Sequence, residues 1–148
     1  MTARTLSLEQ ISDRIEIDDL LIRYTVAIDN KDWELLDTVY TSDAKIDYTT
    51  SGGIKGDYPE VRAWLAKVLP AFKMTQHLIS NSVVKVDGDT ATARTMVFNP
   101  MGTDDGKGGL NIFHVGGWYR DKLVRTEDGW RIAERYEEKA FMNSIPSK

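Results

Sequence analysis

A chain of 148 residues with 41% hydrophobic content and four tryptophans suits a single globular domain, 1–148, long enough to bury a real core. Its net charge of −4 is spread over interspersed acids and bases, which gives no basic stripe for a nucleic-acid partner. Zero cysteines exclude a disulfide framework, a thiol nucleophile and a cysteine-ligated zinc, and no apolar run approaches the roughly 20 residues that span a bilayer.

The segment Met1-Thr2-Ala3-Arg4-Thr5 lacks the apolar centre of a signal peptide, so a cytoplasmic protein with no membrane partner is expected. Ser7 and Gln10 have the spacing of a capping box. Ile17, Leu20, Leu21, Tyr24 and Ile28 then recur at helical intervals and predict a helix to about Ala27. Asp29 or Asn30 caps a second helix, whose buried stripe is Trp33, Leu36, Val39 and Tyr40 and which closes in a turn at Thr41-Ser42-Asp43. Residues 44–48 read as a short strand. Gly52, Gly53 and Gly56 mark a loop with one strand-like step at Ile54. Asp57, Pro59 and Glu60 open a third helix carrying Val61, Trp64, Leu65 and Val68, stopped by Pro70.

From there the pattern is β. A long strand over 74–86 turns at Asp87-Gly88 and pairs back over 90–98. A loop with Pro100, Gly102, Gly106, Gly108 and Gly109 follows, read as mobile and placed to cover a pocket mouth. A strand over 110–125 is bent at Gly116-Gly117, and Glu127-Asp128-Gly129 turns into a last strand from 130 to about 141. Helices first and an antiparallel meander after give an α+β class, with a curved sheet wrapped around the helices and a pocket between them.

One residue breaks the pattern. Asp29 puts a carboxylate just after an oily run, where it is costly to desolvate unless paired. His77, one of only two histidines, is the obvious partner. The plain readings stand beside this one: Asp29 as a helix cap, and His77 as a satisfied core histidine.

The order of elements is joined by specific motifs: Ala27-Ile28-Asp29-Asn30-Lys31-Asp32-Trp33, Asp43-Ala44, Ile46-Asp47-Tyr48, Thr75-Gln76-His77, Asp87-Gly88-Asp89 and Gly129-Trp130-Arg131-Ile132. Together they make the chain resemble the SnoaL-like branch of the nuclear-transport-factor-2-like superfamily, from about Ile15 to Met142. The likeness is greatest to scytalone dehydratase, bile-acid 7α-dehydratase and hexachlorocyclohexane dehydrochlorinase. The resemblance implies a cone-shaped α+β barrel enclosing one apolar pocket. It implies that Asp29, at the end of the first helix, orients His77 on the following strand. It places Tyr24 and Tyr48 where the dehydratases hydrogen-bond a substrate oxygen, and matches Arg135 to a pocket arginine of the bile-acid enzyme. It also shows departures. The second histidine of scytalone dehydratase has Asn99 as its nearest equivalent, His114 lies one strand on, and the tyrosine before the aspartate is Ile28.

A neutral imidazole takes a proton near neutral pH, and a carboxylate on its other nitrogen fixes the tautomer and stabilises the imidazolium. No cofactor is expected, and two histidines without metal-ligand spacing give no metal site. The leading expectation is a cofactor-independent lyase that removes water or halide from a small, largely apolar cyclic substrate, with Asp29 and His77 as catalytic residues. The alternatives are an isomerase or cyclase on a steroid-like or polyketide substrate, and a non-catalytic ligand-binding or assembly subunit. Tyr24, Tyr48, Asn99, His114, Arg135 and Trp33 are the expected substrate contacts. Each has a plain reading too: aromatic core for Tyr24, Tyr48 and Trp33, a pocket wall for His114, and an ion pair with its acidic neighbours for Arg135. By resemblance a homo-oligomer is expected, a trimer ahead of a dimer.

Overall fold

Helix α1 (Leu8–Asn30) begins with the expected capping box: Gln10 N–H donates to Ser7 Oγ at 3.1 Å and Ser7 N–H to Gln10 Oε1 at 3.0 Å. It runs three residues past Ala27. It stops because Lys31 turns left-handed (φ 56°) and returns its N–H to the Ala27 and Ile28 carbonyls. The cap of α2 (Trp33–Asp37) is Asp32, whose Oδ1 accepts from Leu35 N at 3.0 Å, and not Asp29 or Asn30. Asp29 is thereby left in the last turn of α1 with no capping duty. The computed structural model describes residues 5–144, so residues 1–4, which carry most of the segment read for a signal peptide, lie outside the described residues. Among the described residues no helix is long and apolar enough to cross a membrane.

The expected helix over Val39 and Tyr40 and the turn at 41–43 are instead strand β1 (Tyr40–Asp47), because Tyr40 pairs in parallel with Ile132 of the last strand. A 3-10 turn at Thr49–Ser51 leads to the short strand β2 (Lys55–Asp57) and then α3 (Tyr58–Val68), capped at Asp57 with Pro59 in its first turn. The strand expected over 74–86 is two, β3 (Phe72–Thr75) and β4 (Leu78–Asp87), broken at Gln76-His77. Strand β5 (Thr90–Asp104) continues through Asn99, Pro100 and Gly102, since both β3 and β4 pair with it. Strands β6 (Leu110–Thr126) and β7 (Gly129–Ser144) complete the sheet.

The strand order is β2-β1-β7-β6-β5-β3, with β4 also on β5 and every pairing antiparallel except β1–β7. Alternate residues of the long strands face the helices: Ala93 and Val97 on β5, Tyr119 and Leu123 on β6, Trp130 and Ile132 on β7. They pack against Ile17, Leu20, Leu21 and Ile28 of α1, Leu36 of α2 and Val61 of α3. The curved sheet stays open, and helices and sheet form the cone-shaped α+β fold that the sequence implied.

Two bulges in β7 set its curvature and its facing. Lys122 pairs with Glu134 but Leu123 with Ile132, so Ala133 is extra. Gly116 pairs with Phe141 but Gly117 with Lys139, so Ala140 is extra. The second bulge lies at the expected glycine bend, where the backbones press close: a Cβ on Gly117 would overlap the Glu138 carbonyl, and one on Gly116 the Phe141 ring. Gly117→Ala should therefore cost about 1–3 kcal/mol of stability. Gly116→Ala should cost less, because Phe141 is 46% exposed and can turn aside. Equilibrium urea unfolding of the two variants checks that order.

Candidate active site

An acidic side chain in the last turn of a helix faces the negative end of the helix dipole and is unfavourable there without compensation. Asp29 is compensated by three donors from one short segment. Thr75 Oγ1 donates to its Oδ1 at 3.0 Å, the His77 backbone N–H to its Oδ2 at 2.8 Å, and His77 Nδ1 lies 2.6 Å from Oδ1. The backbone donor is free because the β3–β4 break takes His77 out of the sheet ladder; the preceding amide, Gln76 N–H, donates to the Pro100 carbonyl. Burial pushes the Asp29 carboxyl up, but the ring and backbone N–H of His77 and the Thr75 hydroxyl outweigh it and hold the group below the ordinary aspartate value. An ionised carboxylate only accepts hydrogen bonds, so Nδ1 carries a proton, and in the neutral ring Nε2 presents a lone pair.

The imidazole sits between Asp29 and a cavity of about 210 Å³. His77 lines that cavity and Asp29 stands behind it. The walls are largely apolar, with Ile28, Leu65, Phe72, Met101, Phe113 and Met142 among them. Of the expected substrate contacts, Tyr24, Tyr48 and Asn99 line the cavity with His77. Asn99 is buried, its Nδ2 is 3.1 Å from His77 Nε2, and its Oδ1 has no partner. A half-turn of that carboxamide exchanges N for O. The residue can thus donate to a neutral imidazole or accept from an imidazolium.

The other three expected contacts lie elsewhere. His114 falls on the outward parity of β6 and stacks on Phe98 across the sheet, with ring centroids 5.3 Å apart. Trp33 is half-buried against the core, away from the cavity. Arg135 is buried beneath the cavity wall, not in it. Its guanidinium makes a bidentate pair with Asp121 at 2.7 and 2.8 Å and lies 4.1 Å from the ring centroids of both Tyr24 and Tyr119. Its ion-pair partner is therefore one strand over and not among its acidic neighbours in sequence. The loop at 105–109 is also not in the cavity wall. Asp105 Oδ1 accepts from Lys107 and Gly109 N–H and Asp104 Oδ1 from Gly106 N–H, so the hairpin tip is tied to itself.

The tyrosines over Arg135 form a hydrogen-bonded chain: Tyr48 OH is 3.0 Å from both Tyr24 OH and Tyr40 OH. Burial raises the Tyr24 and Tyr48 phenols, against the pull of the Arg135 charge, so they stay protonated. The Tyr119 hydroxyl joins the chain at Tyr24, so four hydroxyl protons share three contacts, which leaves one proton to donate elsewhere.

Of the cavity residues that went unremarked in the sequence, two carry a carboxyl or an aliphatic hydroxyl. Glu137 lines the cavity because the extra residue Ala133 turns Arg135 and Glu137 inward, opposite Asp121 and Tyr119. Ser51, at the end of the 3-10 turn, is the other. No sequence signal placed Glu137 inside, because its pairing with Tyr119, of the inward set Val115, Tyr119 and Leu123 on β6, depends on the bulge at Ala133.

The SnoaL-like domain model matches residues 9–136. The chain is 47% identical over 140 residues to the protein Rv2910c of Mycobacterium tuberculosis, covering 95% of this chain and 94% of that one. Among solved structures, the Kfla4162 protein from Kribbella flavida is similar with a TM-score of 0.83 at 29% identity, over 90% of this chain and 94% of that chain. A hexachlorocyclohexane dehydrochlorinase, LinA type 2, has a TM-score of 0.82 at 19% identity, over 95% of this chain and 94% of that chain, a likeness of fold alone.

The depressed Asp29 pKa gives a pH signature. A group whose folded pKa lies below its unfolded value, near 3.8, stabilises the fold above that value and loses the contribution as pH falls through the folded pKa. Asp29→Asn should thus cost about 1–3 kcal/mol at pH 6, and the gap to wild type should close as pH falls below about 4. Urea midpoints of both proteins at pH 6 and pH 3.5 measure it.

Proposed function

The chain belongs to the SnoaL-like domain family, and from that membership and its cavity we propose that it is a cofactor-independent lyase acting on a small, largely apolar cyclic substrate. The observation that carries the proposal is the orientation of His77: Nδ1 on Asp29, and Nε2 against Asn99, which lines the cavity as His77 does. His77 abstracts a proton from a ring carbon through Nε2, and Asp29 stabilises the imidazolium that forms. A neighbouring carbonyl acidifies a carbon-bound proton enough for an imidazole to remove it, and the proposed substrate carries one. The free proton of the Tyr24–Tyr48–Tyr40 chain serves the carbonyl oxygen as negative charge develops there. Asn99 yields Nε2 to the substrate and, once turned, accepts from the imidazolium. Proton transfer and departure of a group involve no net electron transfer, so the chemistry calls for no redox cofactor.

The isomerase reading would use a carboxylate as the base. Asp29 is poorly placed for that, because three donors hold its carboxylate on the far side of the imidazole from the cavity. A non-catalytic binding subunit has no use for an ionised aspartate behind a histidine whose second nitrogen lies against an invertible carboxamide.

The test is turnover of hydroxylated and halogenated cyclic ketones by the wild type and variants. His77→Ala and Asp29→Asn should each lower kcat/KM by roughly a hundred- to ten-thousand-fold, with melting temperatures showing both variants folded. Retained activity in His77→Ala with loss in Asp29→Ala would transfer the base to Asp29 and favour the isomerase. Full retention in both would leave a binding protein.

A further inference from the structure

Among the described residues lining the cavity, Glu137 is the one carboxyl, and the base already assigned makes no use of it. It stands across the strand pair from the buried Tyr119, on the face that the bulge at Ala133 gives to β7. Arg135, its neighbour on that face, is held by Asp121, so Glu137 has no ion-pair partner among the described residues. Ser51 lines the same cavity, with its hydroxyl toward the Glu137 carboxyl. Burial pushes the Glu137 carboxyl up from the ordinary glutamate value, while the Ser51 hydroxyl and the charges of His77 and Arg135 oppose the rise. One apolar cavity therefore holds a group arranged to take a proton and a second biased toward carrying one, which is how acid and base roles are divided in enzyme sites.

That pairing bears on what leaves. Hydroxide is a poor leaving group because its conjugate acid, water, is so weak an acid, and it departs from carbon readily only as water. Chloride needs no proton, and a carboxyl beside it gains nothing. We propose that Glu137 is the proton donor to the departing oxygen, which equips the cavity to expel water from a ring bearing a hydroxyl β to its carbonyl. The proposal rests on the reading of His77 as the base. In the step, the C–H bond breaks toward His77 Nε2 and its electron pair becomes the new C=C bond. The C–O bond breaks and the oxygen takes the Glu137 proton. Water and the unsaturated ketone leave, with the imidazolium and the Glu137 carboxylate behind. Transfer of the imidazolium proton to the carboxylate, through the departing water, restores both groups.

The experiment compares wild type, Glu137→Gln and His77→Ala on a matched pair of probes, 3-hydroxycyclohexanone and 3-chlorocyclohexanone, with deuterium exchange at carbon 2 followed in parallel. Exchange reports the base alone. Loss of hydroxide needs the acid as well, and loss of chloride does not. Glu137→Gln should lose water elimination by roughly a hundred- to ten-thousand-fold while keeping exchange and chloride elimination near wild-type rates. His77→Ala should lose all three. Glu137→Gln should also melt above wild type at pH 8 and match it near pH 4, because a raised folded pKa penalises the ionised wild-type fold only as pH rises. Water elimination unchanged in Glu137→Gln would overturn the proposal. So would wild type that exchanges carbon 2 without expelling hydroxide, and either result leaves His77 as the base. Absence of exchange in the wild type would overturn the base assignment and the acid with it.

Discussion

One positive charge sits at the centre of this molecule. The Arg135 side chain is 1% exposed and its partner Asp121 fully buried, so neither can fall back on water. Desolvating such a pair is expensive, and breaking it by removing one member typically costs about 3–5 kcal/mol. The geometry recovers much of that cost. Two parallel hydrogen bonds join the guanidinium to the carboxylate, and the rings of Tyr24 and Tyr119 cover its faces. The unpaired Nη1 lies within this aromatic clamp. Through those contacts the charge ties α1 to β6 and β7, and through Tyr24, Tyr48 and Tyr40 it reaches β1. The cavity floor is therefore a rigid polar layer under an apolar wall. An arginine that touches no ligand still acts on the site, by fixing where the phenol hydroxyls lie and by keeping positive potential behind them.

The helix end above that floor follows the opposite logic. A carboxylate in the last turn of α1, with no basic residue in that turn, is a local electrostatic error. The chain corrects it at a distance of 46–48 residues, where a gap between two strands supplies one hydroxyl and both N–H groups of a single histidine. The correction binds the helix to the sheet and orients an imidazole in one operation. Glu137 differs, because its partners do not outweigh burial and its charge is unfavourable where it stands. Residues that destabilise their own fold in this way are characteristic of sites whose chemistry needs a shifted proton affinity.

Much of this was legible in the sequence, for identifiable reasons. Periodic apolar residues marked α1 and α3, and turn residues marked the hairpins. The motifs around Asp29 and His77 pointed to the pair as well as to the family. What was not legible depends on register. Asp29 and Asp32 are equally good caps by composition, and only the left-handed Lys31 assigns the role to Asp32. The β run over 74–86 carries no glycine or proline to announce its break. At that break the Asp29 carboxylate accepts from an amide that the ladder leaves free. His114 could have been placed outward from the parity of Val115, Tyr119 and Leu123. The inward facing of Arg135 and Glu137 could not, because it depends on one unpaired alanine.

That alanine has a consequence for how this pocket changes in evolution. Before Ala133 the inward residues of β7 are Trp130 and Ile132, and after it they are Arg135 and Glu137. In an uninterrupted strand the alternation would instead carry Glu134, Tyr136 and Glu138 inside. The chemistry of this wall is thus addressed by counting, much as a codon is addressed by its frame. Pairing Ala133 into the ladder, with the bulge closed, would exchange the central charge and the pocket carboxyl together for a different set, with no substitution at either position. Closing or moving this one bulge is therefore a route by which one cone-shaped scaffold passes between unrelated pocket chemistries, and comparison by aligned identity alone would misread it.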